Sequence, residues 1–267
     1  MKTRPEIKAL AKEAVAAQRK TAVLLELSFF GVTVAIIAVY VLLLLPGVIA
    51  ESVGLIFLAV AFLIVAALPL SVLVVGAFGE HIKVYRRETA SVGAMFASMK
   101  VNFWRKLGGL LWMELWILIW SLLLIVPGII KSYAYSMTTF ILADNPSVTA
   151  TQALKVSMKM TAGHKWQIFV FGLSFLGWIL LPMLPYIVFI SIFTATEAII
   201  WLVLSMLALL AAVVYWLIVV YPYLYTAYAG LFLELRENAL REGKITPEEL
   251  GMEPPTAAAP HEPMVYR

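Results

Sequence analysis

Four stretches of this chain, residues 22–50, 53–78, 166–193 and 198–233, contain no lysine or arginine and are apolar almost throughout. A bilayer's hydrocarbon core is about 30 Å thick, and about 20 apolar residues cross it as a helix. Inside it each backbone polar group must find its partner within the spanning structure, which leaves helices and closed barrels. Unbroken apolar runs of this length read as helices. A fifth apolar block, residues 107–143, lies between them. The fold class is therefore all-α: a polytopic transmembrane helical bundle. Composition agrees, with 63% hydrophobic and 13% charged residues, where a soluble domain carries roughly 25% charged.

The basic residues set the orientation. Of twenty Lys and Arg, six precede residue 21, six lie at 80–106, three at 155–165 and four after 235. The excess of cations on cytoplasmic loops then predicts about six spans with both termini cytoplasmic. Lys131, inside the fifth block, is the exception. The expected organisation is an N-terminal amphipathic helix (1–21), a transmembrane domain (22–236) and a polar, disordered C-terminal tail (237–267). The net charge of +4 reflects topology and headgroup contact, so no nucleic-acid partner is expected. The chain has no cysteine, which excludes disulfide and thiolate chemistry. Residues 1–20 are too long and polar for a signal-peptide n-region, so the first span is expected to be retained.

Three segments read as amphipathic interfacial helices. In residues 5–20, Ile7, Leu10, Ala11, Ala14 and Ala17 share a face opposite Lys8, Lys12 and Arg19. In residues 90–106, Ser91 would cap a helix with the stripe Val92, Met95, Phe96, Met99 and Phe103. In residues 147–162, Asp144 or Asn145 would cap, Pro146 suits the first turn, and Gly163 ends the helix.

Residues 107–143 allow two arrangements. A tight hairpin turning at Pro127-Gly128 keeps Lys155, Lys159 and Lys165 on the cytoplasmic side. One long kinked helix would place them outside. The last apolar stretch is too long for one crossing and is expected to break at Pro222. A weak internal repeat is visible: Pro127–Ala134 (PGIIKSYA) and Pro222–Ala229 (PYLYTAYA) share Pro, Tyr and Ala in register, and the unit is span, surface helix, span.

The run from residue 124 to 178 resembles the domain-of-unknown-function 975 family of bacterial integral membrane proteins. The resemblance rests on Pro127-Gly128-Ile129-Ile130-Lys131-Ser132-Tyr133, Ala143-Asp144-Asn145-Pro146, Ser157-Met158-Lys159-Met160, Gly163-His164-Lys165-Trp166 and Leu173-Ser174-Phe175-Leu176-Gly177-Trp178. Residues 182–215 depart from the family pattern by inserting apolar sequence. The resemblance implies a bacterial cell membrane and no established activity; a distant likeness to membrane domains beside some glycerophosphodiesterases suggests a lipid context by analogy.

No enzyme constellation is apparent, and no metal or cofactor is expected. The three histidines are scattered, and Gly172-Leu-Ser-Phe-Leu-Gly177 misses the nucleophile-elbow spacing by one residue. Ionisable residues inside spans are functional candidates. Lys131, four residues after Pro127, could hold a lipid phosphate or substrate anion, pair with Glu114, or snorkel. Ser132, Tyr133 and Tyr135 would complete a pocket. Asp144-Asn145-Pro146 reads as a helix stop and cap, and His164-Lys165-Trp166 as an interface anchor. Trp112, Trp116 and Trp120 share one helix face as belt or packing residues. The expected function is non-enzymatic engagement of anionic lipid headgroups, or of a membrane-protein partner or second copy, through basic surface helices. The alternative is a transporter or permease for a small or lipid-like solute, which requires Glu26, Glu114, Lys131 and Tyr133 to converge on a cavity.

Overall fold

The computed structural model describes residues 2–252. Among them every regular element is helical. Helix α1 (Arg4–Ala17) starts in a capping box: the Thr3 N–H donates to Glu6 Oε2 at 2.6 Å, satisfying groups the helix leaves open. Its apolar face does not meet lipid. Ile7, Ala11 and Ala14 are buried against α3 (Val53–Tyr85) and α13 (Tyr221–Arg241). Gln18 breaks α1 from α2 (Arg19–Ile49). Its side chain bonds Glu88 O and the Ala90 N–H.

Three helical hairpins follow. The first pairs α2 with α3 through Ala50–Ser52, with Glu51 at φ 51°. Both helices run through their prolines, Pro46 and Pro69. The second pairs α5 (Phe103–Leu123) with α6 (Ile125–Tyr135) and settles the choice between hairpin and single long helix. The turn is not at Pro127-Gly128 but at Leu124, which is extended at φ −160°, ψ 138°. Pro127 falls in the first turn of α6, where a missing N–H costs nothing. Gly128 lies against Ser121; a Cβ there would stand 2.2 Å from Ser121 Oγ. Only glycine lets α6 fold back this closely. The return continues into α7 (Thr138–Asp144) after a break at Ser136-Met137. Ser157 mends that break by accepting the Met137 N–H at 3.2 Å and donating to Ala134 O at 2.8 Å.

The third hairpin packs α11 (Leu184–Thr196) on α12 (Ile199–Tyr215). It is entered through α9 (Lys165–Leu173) and α10 (Leu176–Leu180). The expected break at Pro222 does not occur. A π-helical turn, Trp216–Val220, precedes the proline and joins α12 to α13 without interruption. The extra backbone residue makes room for the ring, whose clash would otherwise kink an α-helix. The run Ile199–Arg241 is about 65 Å long at 1.5 Å per residue.

The surface helices differ from expectation in extent. α4 covers only Val92–Ala97, capped by Ser91 Oγ as expected. The chain then turns at Asn102, φ 52°, to start α5. α8 (Ala150–Thr161) is capped by Thr149, not by Asp144 or Asn145. Its apolar side packs on α5, α6, α7 and α13 rather than on lipid. Ile245 and Leu250 are buried beyond α13, and Gln152 donates to Glu249 O at 2.8 Å. Residues 237–252 therefore belong to the packed structure, unlike the tail expected there; the rest of the tail lies outside the described residues.

Five runs are long and apolar enough to cross a membrane: Arg19–Ile49, Val53–Tyr85, Phe103–Leu123, Lys165–Thr196 and Ile199–Arg241. About six spans are expected; the return over α6 and α7 is split into two shorter helices and is not among the five. The buried core gathers at the basic end, where Phe78, Phe140 and Phe232 stack at 4.6 and 5.5 Å. Toward the hairpin tips side chains point outward: Leu42, Phe57, Leu122 and Ile199 are exposed.

The repeat has a structural counterpart. Ala134 and Ala229 are buried, and Tyr133 and Tyr228 both pack on α9, against Phe169 and Phe171; the prolines differ, since Pro127 stands in the first turn of α6 and Pro222 inside a continuous helix.

Candidate functional site

The tryptophan stripe and Lys131 come together. Trp112, Trp116 and Trp120 project from α5 at one-turn intervals, with the first two rings edge to face at 5.7 Å. Because the hairpin turns at Leu124, Lys131 of α6 lies opposite Trp120, its ammonium 4.9 Å from that ring and 5.9 Å from Tyr135. An aromatic face attracts a cation through its quadrupole. α8 closes the far wall with Thr151, Leu154, Lys155 and Met158, giving an open groove of about 340 Å³. Neither Lys131 nor Lys155 has a carboxylate within 4 Å among the described residues. The Lys131–Glu114 pair does not form: Glu114 is exposed on another face of α5. Ser132 donates back to Ile129 O, and Tyr133 turns to Phe169. Of the pocket expected around Lys131, only Tyr135 takes part.

Two further grooves have the same make-up. Lys12 and Arg19 stand beside Trp178, Ile218, Val219 and Tyr223 in one of about 300 Å³. Lys165 and Trp166 line another of about 280 Å³ with Ile129, Ile130, Tyr133 and Phe169. Trp166 is 72% exposed and its ring lies 5.1 Å from Phe169, as an interface anchor requires. His164 instead bonds Gln167 of its own helix at 3.0 Å through Nδ1 and meets Asn238 of α13 at 3.4 Å through Nε2. Lys8, expected on the polar face of α1, covers the Phe175 ring at 4.0 Å. Burial first, then Arg4, lowers its pKa.

Asp144-Asn145-Pro146 is more than a helix stop. Arg86 of α3 grips Asp144 with two bonds of 2.9 Å, and Arg236 of α13 donates to the same carboxylate. Arg105 of α5 donates to Leu142 O, Asn145 O and Val148 O, and Asn102 to Pro146 O. The motif thus ties α3, α5 and α13 to the end of α7. The partners lie 58 and 92 residues from Asp144, so no local pattern could reveal them. Other cations form ion pairs while staying at the surface: Arg87 with Glu13, Lys2 with Glu234 and Lys159 with Glu249.

A second buried cluster also escaped sequence reasoning. His81 of α3 bonds Glu26 of α2 at 2.9 Å through Nε2 and Thr226 of α13 at 3.1 Å through Nδ1. Carboxylate, imidazole and hydroxyl in series resemble a nucleophilic triad. Yet His81 and Thr226 are fully buried, and the adjacent cavity holds only about 50 Å³. A carbonyl substrate has no approach to Thr226. The cluster joins three helices and satisfies groups that would be costly alone. Glu26, Glu114, Lys131 and Tyr133 therefore do not converge on one cavity. Among the described residues no group of three or more His, Asp or Glu could hold a metal ion.

A family model described as "Protein of unknown function (DUF975)" matches residues 122–239. The match bears out the resemblance drawn from the motifs and spans α6 through most of α13; the tryptophan stripe of α5 precedes it. No curated protein and no solved structure matches the chain.

Proposed function

We propose that this chain is a non-enzymatic, multi-pass protein of the bacterial cell membrane, with both termini cytoplasmic, that holds anionic lipids in grooves between its helices. The observation that carries this reading is the groove of α5, α6 and α8: three tryptophans, with Lys131 toward one end and Lys155 on α8, and no carboxylate on either lysine. An acyl chain would lie along the indoles and a phosphate would meet the ammoniums. Two more grooves repeat the combination of aromatic wall and unpaired cation. Each Lys or Arg near an anionic surface contributes about 1 kcal/mol.

The support is narrower than the charge distribution alone suggested. The apolar stripes of α1 and α8 are used inside the protein, and many of the surface cations serve ion pairs. Lipid contact would then come from the grooves and from Arg4, Lys20 and Lys100 rather than from whole helices lying flat. The transporter alternative lacks its required convergence of polar groups.

Native mass spectrometry of the full chain released from nanodiscs of phosphatidylcholine and phosphatidylglycerol tests this. Retained phosphatidylglycerol is expected, with at least one equivalent lost in a Lys131→Met, Lys155→Met double variant. Equal retention of both lipids, unchanged in the variant, would contradict it.

A further inference from the structure

A separate cavity of about 240 Å³ opens between the basic end of α3, α4, the start of α5 and the end of α7. Six ionisable side chains line it: Glu80, Lys83, Arg86, Glu88, Lys106 and Asp144. Their formal charges cancel. Four also cancel in place, Lys83 on Glu80 at 2.7 Å and Arg86 on Asp144 at 2.9 Å, with Arg236 reinforcing Asp144. Glu80 is held further by the Ser91 N–H at 2.8 Å.

Two charges remain, one of each sign. Lys106 is only 6% exposed, and its ammonium has one bond, to Ser98 O at 2.6 Å. It has no carboxylate within 4 Å among the described residues. An ammonium offers three donors, and a buried cation without a counter-charge is costly to keep. Glu88, by contrast, is exposed at the rim, and no cation lies within 4 Å of its carboxylate. Gly79 lines the wall, where a Cβ would come into contact with the Ala143 methyl at 3.6 Å.

We propose that this cavity is a binding site for a small zwitterion, its phosphate on Lys106 and its ammonium facing Glu88. A simple anion would leave Glu88 unanswered; a simple cation would leave Lys106 unanswered. Phosphate, with several acceptor oxygens, can also take the remaining donors of Lys106 and of the neighbouring Lys83. The shared chemistry is that of phosphoethanolamine, carried on a lipid headgroup or free. The exposed Phe96 and Trp104 on α4 and at the start of α5 suit a position at the membrane interface. The site is distinct from the aromatic grooves and does not depend on them.

The test is calorimetric titration of phosphoethanolamine into the full chain in nanodiscs of an uncharged glycolipid, which offers neither phosphate nor ammonium, with inorganic phosphate and glycine as comparisons. Phosphoethanolamine is expected to bind at least tenfold tighter than either. Lys106→Met should weaken it by about tenfold or more, the usual loss for a hydrogen bond to a charged group. Glu88→Gln, at an exposed position that leaves folding intact, should reduce it to the level of inorganic phosphate. Repeating the titration in discs containing phosphatidylethanolamine separates the sources: a weakened apparent affinity identifies the lipid headgroup, an unchanged one the free compound. Absence of phosphoethanolamine binding, binding indifferent to both substitutions, or glycine binding equally well would overturn the assignment.

Discussion

Leu250 and Leu42 are the same residue in two different solvents. Leu250 is 1% exposed, seated at the basic end with Ile7, Phe232 and Val148; Leu42 is 70% exposed near the tip of the first hairpin. The contrast holds for the regions around them. At the basic end, α1, α7, α8 and the second half of α13 share one core, cross-linked by Asp144, Arg105 and ion pairs. Toward the tips only 6% of the most apolar window of α2 is buried within the chain. The first region behaves like a soluble domain; the second leaves its surface for lipid to cover. Such an apolar surface would be an aggregation hazard in water.

The largest effect that sharpens this contrast is expected at Asp144. Asp144→Ala leaves Arg86 and Arg236 facing each other without their carboxylate. Breaking a buried pair in this way costs about 3 kcal/mol or more, read as a lower midpoint in thermal or detergent unfolding. An unchanged midpoint would mean that the basic end is not held by this hub. Next, Leu250→Ala should cost about 2–3 kcal/mol by leaving a cavity. Leu42→Ala should stay within about 0.5 kcal/mol, because lipid replaces the lost methyl groups. Equal costs would erase the distinction between the two ends.

Gly128→Ala probes the hairpin that joins them. Its Cβ would meet Ser121 at 2.2 Å, and overpacking of this kind costs about 1–3 kcal/mol. A combined Ser121→Gly change should recover only part of the loss, because the new Cβ would still stand 2.8 Å from the Ser121 Cα.

The smallest effect concerns Lys159, whose hydrogen bond holds the Glu249 carboxyl below its usual pKa. A lowered folded-state pKa gives stability that is present above the unfolded value, near 4.5. It is lost as the pH falls through the folded value. Both side chains are partly exposed, so the contribution is under about 1 kcal/mol. Lys159→Met should therefore lower the midpoint slightly at neutral pH and not at all near pH 3. An identical drop at both pH values would assign the effect to packing rather than charge.

Much of this division was legible in the sequence. Hydropathy located the spans, and the lysines and arginines marked one end. Ser91 announced its cap, and the basic residues on both sides of 107–143 favoured a hairpin. What was not legible depends on distant contacts. Amphipathic spacing shows that Ile7, Ala11 and Ala14 share a face, but it cannot say whether lipid or α13 receives it. The turn at Leu124 is decided by the approach of Gly128 to Ser121, not by the more conspicuous Pro127-Gly128. Pro222 promised a break that a π-helical turn absorbs. Glu26 and His81 are 55 residues apart and His81 and Thr226 145, so their cluster exists only in three dimensions. The same is true of the groove: the tryptophan stripe and Lys131 were each visible, but their meeting required the hairpin.

Labelling from one side of the membrane tests the two-ended account most directly. The chain has no native cysteine, so single cysteines report without background. Glu13→Cys, Glu88→Cys and Glu242→Cys lie at the basic end, and Glu51→Cys and Glu197→Cys at hairpin tips, all at exposed positions. An impermeant thiol reagent added to intact cells should modify positions 51 and 197, and reach 13, 88 and 242 only after permeabilisation. Modification of any of those three together with 51 and 197 in intact cells would contradict the account.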